Sequence, residues 1–454
     1  MIGSSRFASF AALTLGSSLA LAGCASGGAS VQPASQTTAS AAKEALPFIH
    51  DDFPRALAEA KQRGKPLFVD AWAPWCHSCL SMRAFVLTDP SLAPLANDYV
   101  WLTIDTEKDE NGAFVSRFPN DVWPTLWVID PAREHASLKW GGTATADELR
   151  ELLASTKGEG SEGAQRAEGM AAFRRGNEAA SKGEVAEAER QFRASLAVPS
   201  HPQRARAVEA LVSLLSSRDD FGACADLAAS ESASLPSGTS RATVLATGLS
   251  CATEGKRTAL VASLSDACLR AASDPDPHAA ADDRSGLYEA VVEAKKASGD
   301  AAGAKAVAQT WAAFLEREAV RAPTKQARAV FDPHRLSAYI ALGDPERAVP
   351  MLQESERDFP EDYNPPARLA RAYFEMKRWG DAKAASDRAS AKVYGPRALR
   401  VFVLAADVAK AQGDVAGERK ALENGLVRTE RSVLNDKQKK LRASLADRLA
   451  ALPR

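Results

Sequence analysis

The sequence predicts two successive folds, an α/β domain and then an all-α array of paired helices. Six of the eight tryptophans lie between residues 70 and 140, and the remainder of the chain is rich in alanine. In the tryptophan-rich part, short apolar runs alternate with amphipathic segments, which is typical of an α/β domain. From about residue 167 onward the helical pattern is continuous, and one type of turn between consecutive helices, here called a corner, recurs. This recurrence indicates repeated helical hairpins.

Local signals define the elements of the α/β domain. Residues 53–63 have the spacing of an amphipathic helix, and residues 64–66, Gly-Lys-Pro, end that helix before a strand that begins at Leu67. Thr145 is a candidate N-cap for a closing helix over residues 146–153. Further strands are predicted, the last of them at the sheet edge, over residues 100–104, 126–129 and 137–140.

The helical part repeats a corner in which glycine precedes an acidic residue, at residues 182–188, 298–304, 342–348 and 412–418. A small residue follows early in the next helix, where paired helices approach closely, at Ala188, Ala304, Ala348 and Ala382. Ala348 and Ala382 lie 34 residues apart, and Pro360, Tyr373 and Trp379 suit the same pattern. These features resemble the tetratricopeptide repeat, which implies a tetratricopeptide-like helical solenoid over residues 167–454. An alanine-rich helical bundle with similar turns is the alternative.

The repeats suggest a binding role. Because stacked helix pairs curve, the solenoid is expected to offer a concave groove for a protein or peptide partner. Residues 157–166 are rich in glycine and are predicted to be a linker to the α/β domain, which is expected over residues 45–156.

A Cys-X-X-Cys pair, Cys76 and Cys79, follows the predicted strand at Leu67 and begins a second helix. At a strand-to-helix junction, free backbone N–H groups and the helix dipole stabilise a thiolate, so Cys76 is the predicted nucleophile. Cys79, one helical turn further on, is placed to resolve a mixed disulfide.

The surrounding segment is Val69-Asp70-Ala71-Trp72-Ala73-Pro74-Trp75-Cys76-His77-Ser78-Cys79, and Trp123-Pro124-Thr125 precedes a later strand. Both resemble the thioredoxin superfamily, and especially the C-terminal domain of DsbD. The resemblance implies that Asp70 is a buried proton acceptor for Cys79 and that Pro124 is a substrate-aligning cis-proline. It also places Trp101 where thioredoxin carries a lysine near the buried aspartate. Side chains expected to position substrate are Trp75, His77, Trp123 and Thr125.

The N-terminus has the features of an export signal. Arg6 precedes an apolar run that ends in Leu21-Ala22-Gly23-Cys24. This resembles a bacterial lipoprotein signal, which implies removal of residues 1–23, lipidation of Cys24 and a tether over residues 24–44. The expected location is the periplasmic side of the cell envelope, and Ala25 favours the outer membrane over the inner one.

The other cysteines, Cys224, Cys251 and Cys268, lie in the helical part. A turn at residues 236–238 would bring position 224 opposite about position 250 on an antiparallel helix, so a structural disulfide between Cys224 and Cys251 is predicted. Three buried free thiols are the alternative.

Composition and spacing exclude several classes. Lys and Arg total 57 and Asp and Glu total 58, so the basic excess of a nucleic-acid-binding protein is missing. A c-type haem site needs histidine directly after the second cysteine, where Leu80 stands. A structural zinc site needs a second pair of ligands, and the predicted α/β domain offers only His50 and His135 outside the Cys-X-X-Cys motif, so no cofactor and no resident metal are expected.

These observations predict an envelope-anchored thiol:disulfide oxidoreductase that acts on protein disulfides, with reduction favoured by the resemblance to DsbD. A separate redox donor or acceptor and a partner of the helical repeats are expected. The alternative is a tetratricopeptide-type assembly scaffold whose thioredoxin-like domain has a secondary redox or copper-binding role.

Overall fold

The sheet of the first domain has five strands in the order β1-β3-β2-β4-β5. The computed structural model describes residues 46–120, 122–156, 164–199, 201–274 and 278–453, so the predicted signal, Cys24 and most of the predicted linker lie outside the described residues. β1 and β2 run parallel to β3, whereas β4 is antiparallel to β2 and β5 is antiparallel to β4. The strands are β1 (Phe48–His50), β2 (Leu67–Trp72), β3 (Val100–Asp105), β4 (Thr125–Asp130) and β5 (His135–Gly141).

Capping residues mark the ends of the helices in this domain. The Asp52 side chain accepts the backbone N–H of Arg55 at the start of α1, and Gly64 ends that helix with φ of 62°. At α4, Thr145 and Glu148 form reciprocal side-chain-to-backbone hydrogen bonds of 3.2 and 2.7 Å. The helices are α1 (Phe53–Arg63), α2 (His77–Ser81), which continues as a π-helical turn (Met82–Val86), α3 (Gly112–Arg117) and α4 (Ala146–Thr156).

Both faces of the sheet are covered, as parallel strands require. One face packs on α1 and α3 in a core that includes Val69, Leu102, Phe114 and Trp127. The opposite face, with Phe68 and Trp101, belongs to a second core that continues without a break into the helical part. Residues from Glu44 to Arg454 accordingly form one compact unit.

The remaining helices form an array of antiparallel pairs, which confirms the predicted fold class. Helix α5 begins at Ala164, inside the segment expected to be a linker. Their bounds are α5 (Ala164–Ser181), α6 (Val185–Leu196), α7 (Arg204–Ser217), α8 (Phe221–Glu231), α9 (Thr239–Glu254), α10 (Thr258–Ala272), α11 (Ala281–Ala297), α12 (Ala301–Arg321), α13 (Lys325–Ala329), α14 (Asp332–Leu342), α15 (Ala348–Asp358), α16 (Asn364–Glu375), α17 (Trp379–Lys392), α18 (Ala398–Ala411), α19 (Val415–Arg428) and α20 (Asp436–Ala450).

The predicted corners lie between consecutive helices and share one construction. Their glycines adopt the left-handed conformation that favours glycine, with φ of 71–79° at Gly183, Gly299, Gly343 and Gly413. At two corners the acidic residue caps the next helix, because Asp300 and Asp414 each accept the backbone N–H of a residue three positions later. The alanines predicted at the close approaches are buried. Within the described residues, no helix is both long and apolar enough to span a bilayer.

Candidate redox site between the sheet and the helical repeats

Cys76 and Cys79 lie at the junction between β2 and α2. Cys76 is the N-cap of α2, and the Cys79 backbone N–H donates a hydrogen bond of 3.0 Å to Cys76 Sγ. The two sulfurs form a disulfide, with Cα atoms 5.2 Å apart. A helix N-terminal amide aimed at Cys76 Sγ would stabilise negative charge on that sulfur once the pair is reduced.

The peptide bond between Trp123 and Pro124 is cis and lies beside the cysteine segment. The Trp123 carbonyl oxygen accepts a hydrogen bond of 3.4 Å from Ser78 Oγ, and the Trp123 and Trp75 rings meet edge to face at 5.2 Å. Thr125 is buried and donates to the Val122 carbonyl oxygen over 2.6 Å. The structure thus brings Trp75, Trp123 and Pro124 together around the disulfide.

Asp70 is buried on β2, and its hydrogen-bond donor is Thr103 Oγ1 at 3.3 Å. Burial raises the pKa of Asp70 to about 6, and the nearby Arg83 guanidinium opposes that rise. In the strand register Thr103 stands opposite Asp70, and Trp101 pairs with Phe68 two positions earlier. The hydroxyl group of Thr103 is therefore the polar group that the neighbouring strand presents to the Asp70 carboxyl group.

A small cavity adjoins the Asp70 carboxyl group. Its volume is about 30 Å³, and Arg83 and Thr103 also line it. One water molecule fits such a space where polar groups are available. Among the described residues, Asp70 Oδ1 has no hydrogen-bond partner.

Residues of the C-terminal repeats contact the segment before Cys76, directly and through Glu107. Trp75 Nε1 donates to Glu107 Oε1 over 2.8 Å, and the Arg397 backbone N–H donates to Glu107 Oε2 over 2.5 Å. The Arg397 guanidinium also stacks 4.9 Å above the Trp75 ring. Asn364 Nδ2 donates to the Pro74 carbonyl oxygen over 3.1 Å. Burial is the main cause that raises the pKa of Glu107 to about 7.

His77, between the two cysteines, contacts two residues of the repeats. Its Nδ1 lies 3.0 Å from Asp282 Oδ1 and 3.1 Å from His334 Nε2. The His77 side chain is 39% exposed, whereas Asp282 and His334 are 3% exposed. Burial lowers the pKa of His77, but the Asp282 carboxylate outweighs it and raises that pKa overall. Asp282 and His334 are not predicted from the sequence, because they are 205 and 257 positions away from His77 and follow no local spacing.

These contacts leave little of the disulfide open to solvent. Cys76 is 3% exposed and Cys79 is fully buried. Trp72, Trp75 and Trp123 pack against the two cysteines. The repeats add contacts to Pro74, Trp75 and His77 in the same segment. The surface that these helices turn toward the first domain is therefore occupied by that domain in this structure.

A second disulfide lies far from these polar groups. It joins Cys224 on α8 to Cys251 on α9, with Cα atoms 6.0 Å apart, and both side chains are buried in the helical core. Cys268 is a buried free thiol, and burial raises its pKa to about 12. Such a thiol is unreactive at neutral pH.

Comparison with known proteins gives two family matches. Residues 49–131 match a thioredoxin-like family, and residues 339–401 match the tetratricopeptide repeat. A tetratricopeptide repeat protein of known structure from Parabacteroides merdae aligns with this chain at 14% identity and a TM-score of 0.40. The alignment covers 62% of this chain and 99% of that protein.

Curated relatives match the first domain. The thiol:disulfide interchange protein DsbD of Pseudoalteromonas atlantica is 32% identical over 82 residues, which are 18% of this chain and 14% of that protein. DsbD 1 of Pseudomonas aeruginosa is 46% identical over 50 residues, 11% of this chain and 8% of that protein. Protein disulfide-isomerase 1 of Dictyostelium discoideum is 29% identical over 86 residues, 19% of this chain and 23% of that protein. The chain therefore contains a thioredoxin-like domain similar to part of DsbD, followed by tetratricopeptide-type repeats.

Proposed function

We propose that this protein is an envelope-anchored thiol:disulfide oxidoreductase that acts on protein disulfides through Cys76 and Cys79. The observation that carries the proposal is the position of Cys76 as N-cap of α2, with the Cys79 amide aimed at its sulfur and cis-Pro124 alongside. The similarity of residues 49–131 to thioredoxin-like proteins supports the same chemistry. The DsbD relatives are named thiol:disulfide interchange proteins, which agrees with this chemistry.

The reaction proceeds in two exchanges. The Cys76 thiolate attacks one sulfur of a substrate disulfide, and the other substrate sulfur leaves as a thiolate. The Cys79 thiolate then attacks Cys76 Sγ, which releases the second substrate sulfur. The substrate gains two electrons, the Cys76–Cys79 pair loses two, and a separate donor of electrons must restore the dithiol.

Asp70 is the proposed proton acceptor for Cys79. A carboxyl group with a pKa near 6 is mostly ionised at neutral pH and can take up a proton during the second exchange. Pro124 is proposed to align the substrate backbone, and Trp75, Trp123, Thr125 and His77 to shape the surface around it. Because the repeats cover Trp75 and His77, we expect substrate to approach from the side of Trp123 and Pro124.

Trapping of a mixed disulfide tests the enzymatic proposal. The Cys79→Ser full-length chain should accumulate covalent complexes with envelope proteins, visible on non-reducing gels and identifiable by mass spectrometry. The Cys76→Ser chain should form none, and Cys268→Ser, which removes a buried thiol outside the site, should leave wild-type turnover unchanged. Absence of trapped species together with absence of disulfide reductase and oxidase activity in the wild type would refute the proposal.

The direction of electron flow follows from the reduction potential of the Cys76–Cys79 pair. Similarity to DsbD favours reduction of substrates. A potential near about −270 mV, as in thioredoxin, would support a reductase, and one near about −120 mV, as in DsbA, would support an oxidase. Equilibration with glutathione or dithiothreitol buffers, followed by thiol alkylation and mass spectrometry, measures this value.

Membrane anchoring through Cys24 is part of the same proposal. It rests on the small residues before Cys24 and the low-complexity segment after it. Cys24→Ser should prevent labelling by a lipid precursor and release the protein from membranes. Unchanged labelling and membrane partition would contradict anchoring, and fractionation of the two membranes tests the outer-membrane location.

A cleft beside α12, α13 and α15 is the proposed binding site for a partner of the repeats. Its volume is about 890 Å³, and its basic residues outnumber its acidic ones, which favours an acidic peptide. The basic side chains that line it are Lys325, Arg328, Arg335, Arg347 and Arg357. Arg335→Glu should reduce capture of a partner from envelope extracts relative to the exposed-site control Arg431→Glu. If both variants captured the partner equally well, the cleft would not be its binding site.

A tetratricopeptide-type scaffold is the second candidate function. The observation that favours it is the cover over the redox pair, which leaves Cys76 3% exposed. A scaffold should keep its cellular role in the Cys76→Ser, Cys79→Ser double variant, whereas an oxidoreductase should lose it. Comparison of that variant with a deletion of the whole protein separates the two functions.

A further inference from the structure

Three polar atoms converge where the active-site helix meets the repeats. His77 Nδ1 comes from α2, Asp282 Oδ1 from α11 and His334 Nε2 from α14. Their separations are 3.0 Å between His77 and Asp282, 2.8 Å between His334 and Asp282, and 3.1 Å between the two histidines. The atoms thus form a nearly equilateral triangle.

Hydrogen bonding alone does not satisfy this triangle. If both nitrogens carry protons, each can donate to Asp282, but the two N–H donors then lie only 3.1 Å apart with no acceptor between them. If one nitrogen is unprotonated, its lone pair lies 3.0 Å or less from the carboxylate oxygen. With Asp282 ionised, each of these placements of protons leaves one repulsive contact. A cation at the centre is attracted to all three atoms.

The dimensions suit a metal ion of the first transition row. An ion about 2.1 Å from each atom would lie just above the triangle, with angles of about 90° between ligands. This is the facial arrangement that two histidines and one carboxylate provide, and it leaves positions on the other side for water. Imidazole and carboxylate together suit Zn²⁺, Co²⁺, Ni²⁺ or Fe²⁺ better than Ca²⁺ or Mg²⁺.

The surroundings support the ligands. Glu289 Oε2 lies 3.8 Å from Nδ1, the other ring nitrogen, of His334. A carboxylate that accepts a hydrogen bond from the second ring nitrogen commonly orients a metal-binding imidazole, and a small movement of the Glu289 side chain would close the 3.8 Å gap to such a bond. The neighbouring carboxylate, Asp283, is engaged elsewhere, because it accepts hydrogen bonds from Thr143 and Thr239 over 2.8 and 2.9 Å. Asp282 and His334 are buried and His77 is partly exposed, so the open side of the triangle is reached past His77.

We propose that His77, Asp282 and His334 form a binding site for a first-row divalent metal ion, with Zn²⁺ as the physiological candidate, that joins the active-site helix to the repeats. The site goes beyond the thiol chemistry proposed above and does not depend on it. It differs from the expectation of no resident metal, because the three ligands are brought together only by the packing of one fold against the other.

Metal binding to the full-length chain tests this site. The protein is dialysed against EDTA and kept without reductant, so that the disulfides stay closed and thiolates do not compete for metal. Isothermal titration with Zn²⁺ should show one ion per chain. Titration with Co²⁺ should produce d–d absorption bands of a nitrogen and oxygen site, without the intense charge-transfer band of a thiolate ligand.

Variants distinguish this cluster from other sites. His77→Gln and His334→Gln should each weaken Zn²⁺ binding at least tenfold and remove the Co²⁺ bands, and Glu289→Gln should weaken it about tenfold as a residue that orients His334. The matched control His278→Gln, at an exposed histidine, should bind as the wild type does. Far-UV circular dichroism of the metal-free variants checks that they are folded.

A variant with both redox cysteines changed separates this proposal from the proposed function. Cys76→Ser, Cys79→Ser should retain one Zn²⁺ ion even though thiol exchange is lost. Absence of binding to the wild type at 100 µM, chosen as about tenfold above a weak site's dissociation constant, would overturn the metal site. The proposal would also be overturned if the folded His77→Gln and His334→Gln chains bound Zn²⁺ as tightly as the wild type does.

Discussion

The two disulfides show how surroundings decide what the same covalent bond does. Cys76–Cys79 closes a loop of three positions at a helix N-terminus, near buried titratable groups and a cis-proline. Cys224–Cys251 spans 27 positions between two helices and lies in an apolar core. A bond that must break and reform needs a stabilised thiolate and a path for protons, whereas a structural bond needs neither.

Selective reduction is the sharpest test of this comparison. In graded dithiothreitol buffers, Cys76–Cys79 should open at a potential between about −120 and −270 mV, and Cys224–Cys251 should remain closed to below about −300 mV. Alkylation followed by peptide mass spectrometry follows each pair separately. Simultaneous opening of both pairs would contradict the assignment of different roles.

Removal of the helical disulfide should affect stability and leave catalysis intact. Cys224→Ala, Cys251→Ala should lower the free energy of unfolding by about 3 kcal/mol, because the unfolded chain regains the entropy of a loop of this size. Urea denaturation measures the change. Disulfide reductase activity per folded molecule should be unchanged, and a parallel loss of activity would link the two bonds.

Asp70 should give the redox pair a pH dependence that the helical disulfide does not have. Asp70→Asn should slow the resolving step about 100-fold, since it removes the proton acceptor. In the wild type that step should slow as the pH falls below about 6, because Asp70 then becomes protonated. Stopped-flow kinetics across pH 5 to pH 8, a range of about three units, measures both effects. A Thr103→Val control should shift the profile without abolishing the step.

Glu107 should make the stability of the contacts around Trp75 depend on pH. Its pKa is raised to about 7 in the folded protein from 4.5, so the folded state binds more protons than the unfolded state between these values. The free energy of unfolding should therefore fall as the pH rises from about 4.5 to 7, by at most about 3 kcal/mol. Thermal denaturation of the wild type and Glu107→Gln checks this, and equal pH slopes would contradict it.

Sequence-local features of this protein could be predicted with good accuracy. The bounds of α1, the cap at Thr145 and the glycine corners each depend on residues within one or two helical turns. The junction of strand and helix at Cys76 depends on the same short range. The fold class follows from these elements, because strands alternating with helices and repeated helical hairpins each have few stable arrangements.

Other features depend on packing between distant parts of the chain. Strand β1 is three residues long and carries no readable periodicity, and the pairing of Thr103 with Asp70 requires the register of two strands. The contacts of His77 with Asp282 and His334, and of Glu107 with Arg397, join positions more than 200 apart. No local spacing encodes them, because they arise only when the apolar face of the sheet and the apolar faces of the repeats share one core. The sequence by itself therefore determined the two folds and the redox motif, and the tertiary structure decided which side chains surround that motif.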